Sequence, residues 1–497
     1  MTVTEPVARA RPPGRTAQRR WLIGFWISAG AGVVASVAEA TSRPILGARW
    51  SLLDVLAAWA GVWVVGVVCA LHLTMRRRRA LIAVAVVATA LRLAAMASAP
   101  TLSDDLYRYS WDARVQVSGV DPYRYPPQAN ALRPRREGWL WPDASGCAHI
   151  MRPPGCTRIN RPSDRTIYPP VAEGWFSVVY RLGGGIDSRY KLWQGAGVVT
   201  ELATMGLLAA LLIRQRRDPR WLALYALCPV PVVEVVNDGH IDGLAILFLI
   251  AAFLALSPRR AEPDKGGPPP LVERSAPPVV PPWRAAAAGA LIGVAALVKL
   301  YPIVVLLAVW VAPGVRWRHR LASGAAAVGV VALGYAPHVV AVGIKVLGYL
   351  PGYLKEEHYT GTSSRFLLAA LFHLHGHAAE AAVVAAVAVT AIVLIIRRPP
   401  AIHAAAVLIG VLLLSATPVQ PWYAVTLVAL AAAARRPRWG LVVAAGYPYF
   451  FAVILSAVHQ NGLGQIAYGA AALGVLAVSV AAAGRRRTEA GEPVAPE

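Results

Sequence analysis

The sequence predicts an all-α polytopic membrane protein, a bundle of about 12–14 transmembrane helices with a large first extracytoplasmic loop. Three observations carry this expectation. Of 497 residues, 57% are hydrophobic and only 15% are charged, with a mean hydropathy of +0.50. The apolar residues fall in runs near the roughly 17–25 residues that a bilayer-spanning helix needs, and at that length a helix satisfies its own backbone in lipid. Short Arg-rich clusters separate the runs at every second connection, which is the signature of loops retained on one side of a membrane.

The elements follow in order. A cytoplasmic tail at 1–20 leads into a span at 21–40, where Val33, Val34 and Val37 run on into Glu39 and Arg43 without a small-residue cleavage site. That segment is read as a retained helix. Spans are expected at 52–73 and 80–97 and, beyond a long polar loop at 98–191, at 192–213, 221–236 and 241–256. These make an N-terminal transmembrane half, 21–256. The Pro-rich segment 257–284 cannot bury a core and reads as a disordered cytoplasmic linker. A C-terminal half, 285–484, is expected to cross at 285–298, 301–315, 321–337, 378–396, 401–417, 422–434, 439–458 and 463–483, before a cytoplasmic tail at 485–497. Several of these runs are short or interrupted by Pro or Gly. The stretch 171–182, after Tyr168-Pro169-Pro170, is too short to span and reads as a re-entrant helix. LGGGID at 182–187 reads as a turn, not a phosphate loop.

Orientation follows from the basic clusters Arg9 to Arg20, Arg76 to Arg79, Arg214 to Arg220, Arg259 to Arg284, Arg316 to Arg320, Arg397 and Arg398, Arg435 to Arg438, and Arg485 to Arg487. Held inside by the positive-inside rule, they put both termini in the cytoplasm and the loop 98–191 outside a plasma membrane. The same topology accounts for most of the net charge of +23, so a nucleic-acid partner is not expected. Arginines of the outer loop, among them Arg108, Arg161 and Arg165, are left over and suit either a solvated face or an extracytoplasmic anion such as a lipid phosphate. Cys147 and Cys156 share that loop and are expected to pair as a disulfide in an oxidising space. A zinc site using them with His149 has no supporting spacing.

The opening of the loop, TLSDDLYRYSWDARVQVSGVDPYRYPP (101–127), places dense charge at a membrane edge. If 102–117 is helical, Asp105, Arg108, Tyr109 and Asp112 share a face at spacings of three, four and seven. Asp105 reads as a candidate base, whereas Asp104, with Ser103, suits an N-cap and dipole partner. Other polar groups are expected at the same side: Tyr168 in RTIYPP, His240 and Asp242 in NDGHIDG, Lys299 and Tyr301 in KLYP, Arg365 in the segment LKEEHYTGTSSRF, and Trp422 in QPWY. Taken singly, each is an ordinary helix end or interface anchor.

Together, SDDLYRYSWDARVQVSGVDPYRYPP, TIYPP, NDGHIDG, KLYP and QPWY resemble bacterial GT-C superfamily glycosyltransferases, in particular the glycosyltransferase 87-like mannosyltransferases that use polyprenyl-phosphate mannose. The resemblance runs from Ala80 to about Tyr423. It implies a hexosyltransferase that moves a sugar, mannose in those relatives, from a polyprenyl-phosphate donor to a lipid-linked or cell-envelope glycan acceptor at the extracytoplasmic face. It places the general base on Asp105, with Asp104 as rival. Arg108, Tyr109, Asp112, Tyr168, His240, Asp242, Lys299, Tyr301, Arg365 and Trp422 are then expected to bind substrate, with Arg108, Arg165, Lys299 and Arg365 as the candidates for the departing phosphate. No cofactor is required. A divalent metal held by Asp104, Asp105 and Asp112 with substrate phosphate is the less favoured reading. The competing readings are a polyprenyl-phosphate-pentose (arabinofuranosyl-type) transferase and a non-catalytic lipid-glycan transporter. A transporter would need ionisable groups nearer the bilayer midplane than most of these motifs supply.

Overall fold

The computed structural model describes residues 15–42, 50–143, 147, 156–183, 189–257, 280–356, 367–374, 376–416, 420–455 and 461–491. Most of the Pro-rich linker, most of LGGGID, and Arg365 fall outside the described residues. Among the described residues, all regular structure is helical. The main helices are α1 (Arg15–Ala40), α2 (Trp50–His72), α3 (Arg77–Ala95), α4 (Asp105–Val117), α5 (Pro170–Leu182), α6 (Arg189–Arg214), α7 (Asp242–Leu256), α8 (Pro282–Ala296) and α9 (Val305–Val311). They continue with α10 (Trp317–Val342), α11 (Leu350–Glu356), α12 (Leu367–Phe372), α13 (His377–Arg397), α14 (Ala401–Ser415), α15 (Ala424–Ala434), α16 (Gly440–Tyr449) and α17 (Asn461–Gly491).

The expected dozen or more spans take a different form. Among the described residues, six helical stretches are long and apolar enough to cross a bilayer, or up to seven if one bent pair counts as a span. Four further apolar helices, including α7 and α14, are shorter. The reason is visible in the run expected at 221–236. Pro229 and Pro231 remove backbone donors, and the run folds as two pieces, Pro219–Ala226 and Pro231–Asn237, bent by 63°, the second wound as a π-helix. The loosened backbone is satisfied by a charge: Arg92 of α3 donates to the Ala226 carbonyl at 2.8 Å. Arg92 also pairs with Glu201 of α6 at 2.7 Å, and the Tyr225 hydroxyl donates to the other Glu201 oxygen at 2.5 Å. Arg92 and Glu201 are both fully buried. An ion pair in a helical membrane core is costly unless every donor and acceptor is matched, and here it ties three elements together.

Packing of the second half depends on small residues. A Cβ on Gly289 of α8 would sit 2.0 Å from the Ser323 carbonyl oxygen of α10, so only glycine allows that approach. The basic connections meet at one end of the bundle, where Arg217 donates to the Ala433 carbonyl, Arg220 to the Leu73 carbonyl, and His403 contacts the Ala434 carbonyl at 3.0 Å. The loop region that follows α3 gathers at the other end. There α4 packs on α5, the amides of Val171 and Ala172 donate to the Leu297 carbonyl, and Cys147 and Cys156 form a disulfide with Cα atoms 5.2 Å apart. Cys69 and Cys228 are buried free thiols.

Candidate active site

The start of α4 is fixed by the NDGH turn that follows the π-helical piece. One oxygen of Asp238 accepts the amides of Thr101, Leu102 and Ser103 at 3.0, 2.9 and 3.2 Å. Asn237 accepts the Thr101 amide and hydroxyl at 2.9 and 2.6 Å and donates to the Ala95 carbonyl at 2.9 Å, while the Thr101 hydroxyl also meets Glu39 of α1. Gly239 makes the turn possible: its φ of +72° is left-handed, and a Cβ there would meet Leu106 at 3.3 Å. Buried carboxylates thus hold the loop that delivers Asp104 and Asp105.

The expected division of labour between those two is altered in one respect. Asp104 occupies the N-cap position without a side-chain cap bond; Ser103 Oγ instead accepts the Asp105 amide at 3.2 Å. Asp104 is turned toward the cavity, where Asn160 bridges both carboxylates, donating to Asp105 at 2.6 Å and to Asp104 at 3.1 Å. The second oxygen of Asp105 accepts the Tyr168 hydroxyl at 3.0 Å and lies 3.8 Å from His240 Nε2. Burial pushes the Asp105 carboxyl up, but His240, Lys299, Arg161 and the Tyr168 hydroxyl outweigh it and hold the group below its ordinary value. His240 is itself oriented, with Nδ1 3.0 Å from the Glu234 carbonyl and 3.1 Å from its carboxylate, and its ring 4.3 Å from Trp422. Burial opposes charge on the imidazole, but Glu234, Asp105 and Asp238 raise it to about 9. Lys299 pairs with Asp242 at 3.3 Å and lies over the rings of Tyr168 and Tyr423.

These groups border a cavity of about 640 Å³. Its wall carries the polar side chains of Asp104, Asp105, Arg108, Arg161, Arg165, Tyr168 and Lys299 together with the apolar ones of Leu350, Leu354, Val383, Leu412, Leu413, Phe450 and Leu455. Tyr301 and Trp422 also line it, the Tyr301 hydroxyl meeting Thr426 at 2.5 Å.

Four residues expected at the substrate stand behind the wall. Tyr109 is buried and stacked on Phe176 at 4.3 Å. Asp112, two turns beyond Asp105, is buried against Arg108 at 2.9 Å, and burial raises its carboxyl and that of Glu173 above the ordinary range despite Arg108. His240 and Asp242 reach the cavity only through Asp105 and Lys299. Arg108, expected to face a phosphate, lines the cavity but is engaged by Asp112 and by the Arg161 and Asp164 carbonyls at 3.3 and 3.0 Å. A guanidinium so occupied holds the loop in place. Sequence reasoning missed Asn160 and Glu234. Glu234 had a usable signal, a single carboxylate inside an apolar run.

The model of glycosyltransferase family 87 matches residues 167–421, just over half of the chain, and takes in Tyr168, His240, Asp242, Lys299 and Tyr301; α4 with its two aspartates precedes the matched segment. No curated protein and no solved structure matches the chain. With the helical membrane architecture and the site just described, the family match fixes the assignment: the chain is a membrane glycosyltransferase and belongs to glycosyltransferase family 87.

Proposed function

We propose that the protein transfers a hexose, mannose in the first instance, from a polyprenyl-phosphate donor to a hydroxyl of a lipid-linked or cell-envelope glycan, at the extracytoplasmic face. The observation that carries this reading is the mixed lining of one cavity: a carboxylate with cationic and hydroxyl neighbours, together with many apolar side chains. A lipid phosphate sugar has the same mixed character. The isoprenoid stem would lie along Leu350, Leu354, Leu412 and Leu413, the phosphate toward Lys299 and Arg161, and the sugar between them and Asp105.

The chemistry is a single displacement. Asp105 accepts the proton of the acceptor hydroxyl as its oxygen bonds to the anomeric carbon, and the bond from that carbon to the phosphate oxygen breaks with its electron pair leaving on the lipid phosphate. The configuration inverts. A phosphate leaves without being protonated, so one carboxylate suffices, unlike the paired acids of glycoside hydrolysis. Lys299 neutralises charge growing on the phosphate, an effect worth roughly 3 to 4 kcal/mol for a well-aimed donor. Tyr168 and Asn160 hold the base still. The test is incubation of the purified protein with a panel of polyprenyl-phosphate hexoses and pentoses, scoring release of lipid phosphate. Release from the mannose donor is expected, whereas release from pentose donors alone, or from none of the lipid-phosphate donors, would overturn the reading.

A further inference from the structure

Behind Asp105, and outside the cavity wall, lies a second cluster. Glu234, Asp238 and His240 are 1%, 0% and 2% exposed, and one ligand atom from each lies within 4.8 Å of the others. Two come from the π-helical piece and the turn it opens, the third from the residue after Gly239. Their hydrogen bonds leave part of each side chain unused. Glu234 keeps Oε1, Asp238 keeps Oδ2 and His240 keeps Nε2, all buried without a hydrogen-bond partner. The buried Tyr447 hydroxyl lies against the Glu234 carboxylate. Buried polar atoms in native proteins are matched, so several orphans in one place point to a group that belongs there. Charge points the same way, since Glu39 joins the cluster through Thr101 and Asn237 while His240 is its sole basic member.

We propose that Glu234, Asp238 and His240 form a binding site for a divalent cation of the Mn²⁺ or Zn²⁺ kind. Two carboxylates and one imidazole suit such ions. His240 Nδ1, bonded to the Glu234 carbonyl, is already in the arrangement by which a ligating histidine donates its second nitrogen to a backbone oxygen. Because Asp238 also carries the Thr101 to Ser103 amides, the ion locks the turn that positions α4. The ion sits behind Asp105, whose carboxylate lies 3.8 Å from His240 Nε2, and has a different ligand set from any metal at Asp104 and Asp105.

The full-length protein in detergent is stripped with chelator, equilibrated with Mn²⁺, Zn²⁺ or Ca²⁺ in turn, desalted and assayed for bound metal and for thermal unfolding. A stoichiometric amount of Mn²⁺ or Zn²⁺ is expected on the wild type, with a raised unfolding temperature. Both effects are lost in Asp238→Asn and Glu234→Gln and kept in Asp104→Asn. His240→Gln, should the carboxylate variants fail to fold, must lower the affinity. Wild-type protein that retains no metal, metal retained by all three cluster variants, or loss confined to Asp104→Asn overturns the proposal. Metal is read here without any transfer reaction, so a negative result leaves the transferase reading standing, and failure of that reading leaves this one standing.

Discussion

Replacing Asp105 by Asn tests the reaction at its centre. The amide keeps the volume and can still accept from Asn160, now 2.6 Å away, while its NH₂ turns toward the Tyr168 hydroxyl. What disappears is proton acceptance, worth roughly 10²- to 10⁴-fold, or about 3 to 5 kcal/mol of barrier. Local geometry sets where in that range the loss falls. Asn160 also holds Asp104, at 3.1 Å, so a second carboxylate stands one bridging side chain away and can take over at a poorer angle. We expect a fall of about 10³ for Asp105→Asn, a small effect for Asp104→Asn, and a further drop of about tenfold for the double variant. Donor binding should survive in all three, because Lys299 and the apolar wall are untouched. The assay is initial-rate release of lipid phosphate at matched expression, with donor binding measured alongside. Near-normal turnover in Asp105→Asn beside lost turnover in Asp104→Asn would move the base to Asp104. Activity in the double variant would refute the carboxylate mechanism altogether.

Other outcomes follow from separate parts of the molecule. In chelator, the pH profile of turnover should carry an inflection near about 9, where His240 loses its proton and Asp105 loses a positive neighbour, and His240→Gln should abolish that inflection. Ala416→Trp narrows the apolar side of the cavity and should raise KM for long-chain donors far more than for short-chain analogues, which equal changes for both would contradict. Breaking the Arg92 to Glu201 pair with Arg92→Leu should cost about 3 to 5 kcal/mol, read as early thermal unfolding in detergent, and adding Glu201→Leu should recover much of it. Cys147→Ser should remove about 2 to 3 kcal/mol in the chain-entropy account, given the sequence separation of 9, read as a lowered unfolding temperature in detergent. Labelling of single cysteines introduced at Asn130 and Gly266 should mark opposite membrane faces, and marking the same face would sink the assigned orientation.

The helical membrane class was legible because apolar run length is a direct reading of bilayer thickness. Break points were legible only as prolines: Pro229 and Pro231 announce an interruption, but nothing local gives the 63° bend or the π-winding that follows. The place of Asp105 on the cavity wall was legible because charge at a membrane edge is expensive and so informative. Helical spacing also anticipates the Arg108 and Asp112 pair, though not that it turns inward to brace 161–164 rather than outward to substrate. Asn160 was not legible. It lies 55 residues from Asp105 in a loop without periodicity, and only the folded chain brings the two together. The apolar wall was hidden for the opposite reason, since Leu412 or Phe450 in a hydrophobic run looks like any other core or lipid-facing side chain.

The three amides gathered on one Asp238 oxygen clamp the entry to the long loop, and the Leu297 carbonyl clamps its exit at Val171 and Ala172. Chain gained or lost between Cys147 and Cys156 is therefore expected to leave the distance from Asp105 to Lys299 unchanged. Relatives are free to differ there in length and chemistry without retuning the reacting centre, and an engineer can graft an affinity tag or a foreign recognition loop at the same place. The two clamps, in effect, uncouple the length of the chain between them from the geometry of the cavity wall.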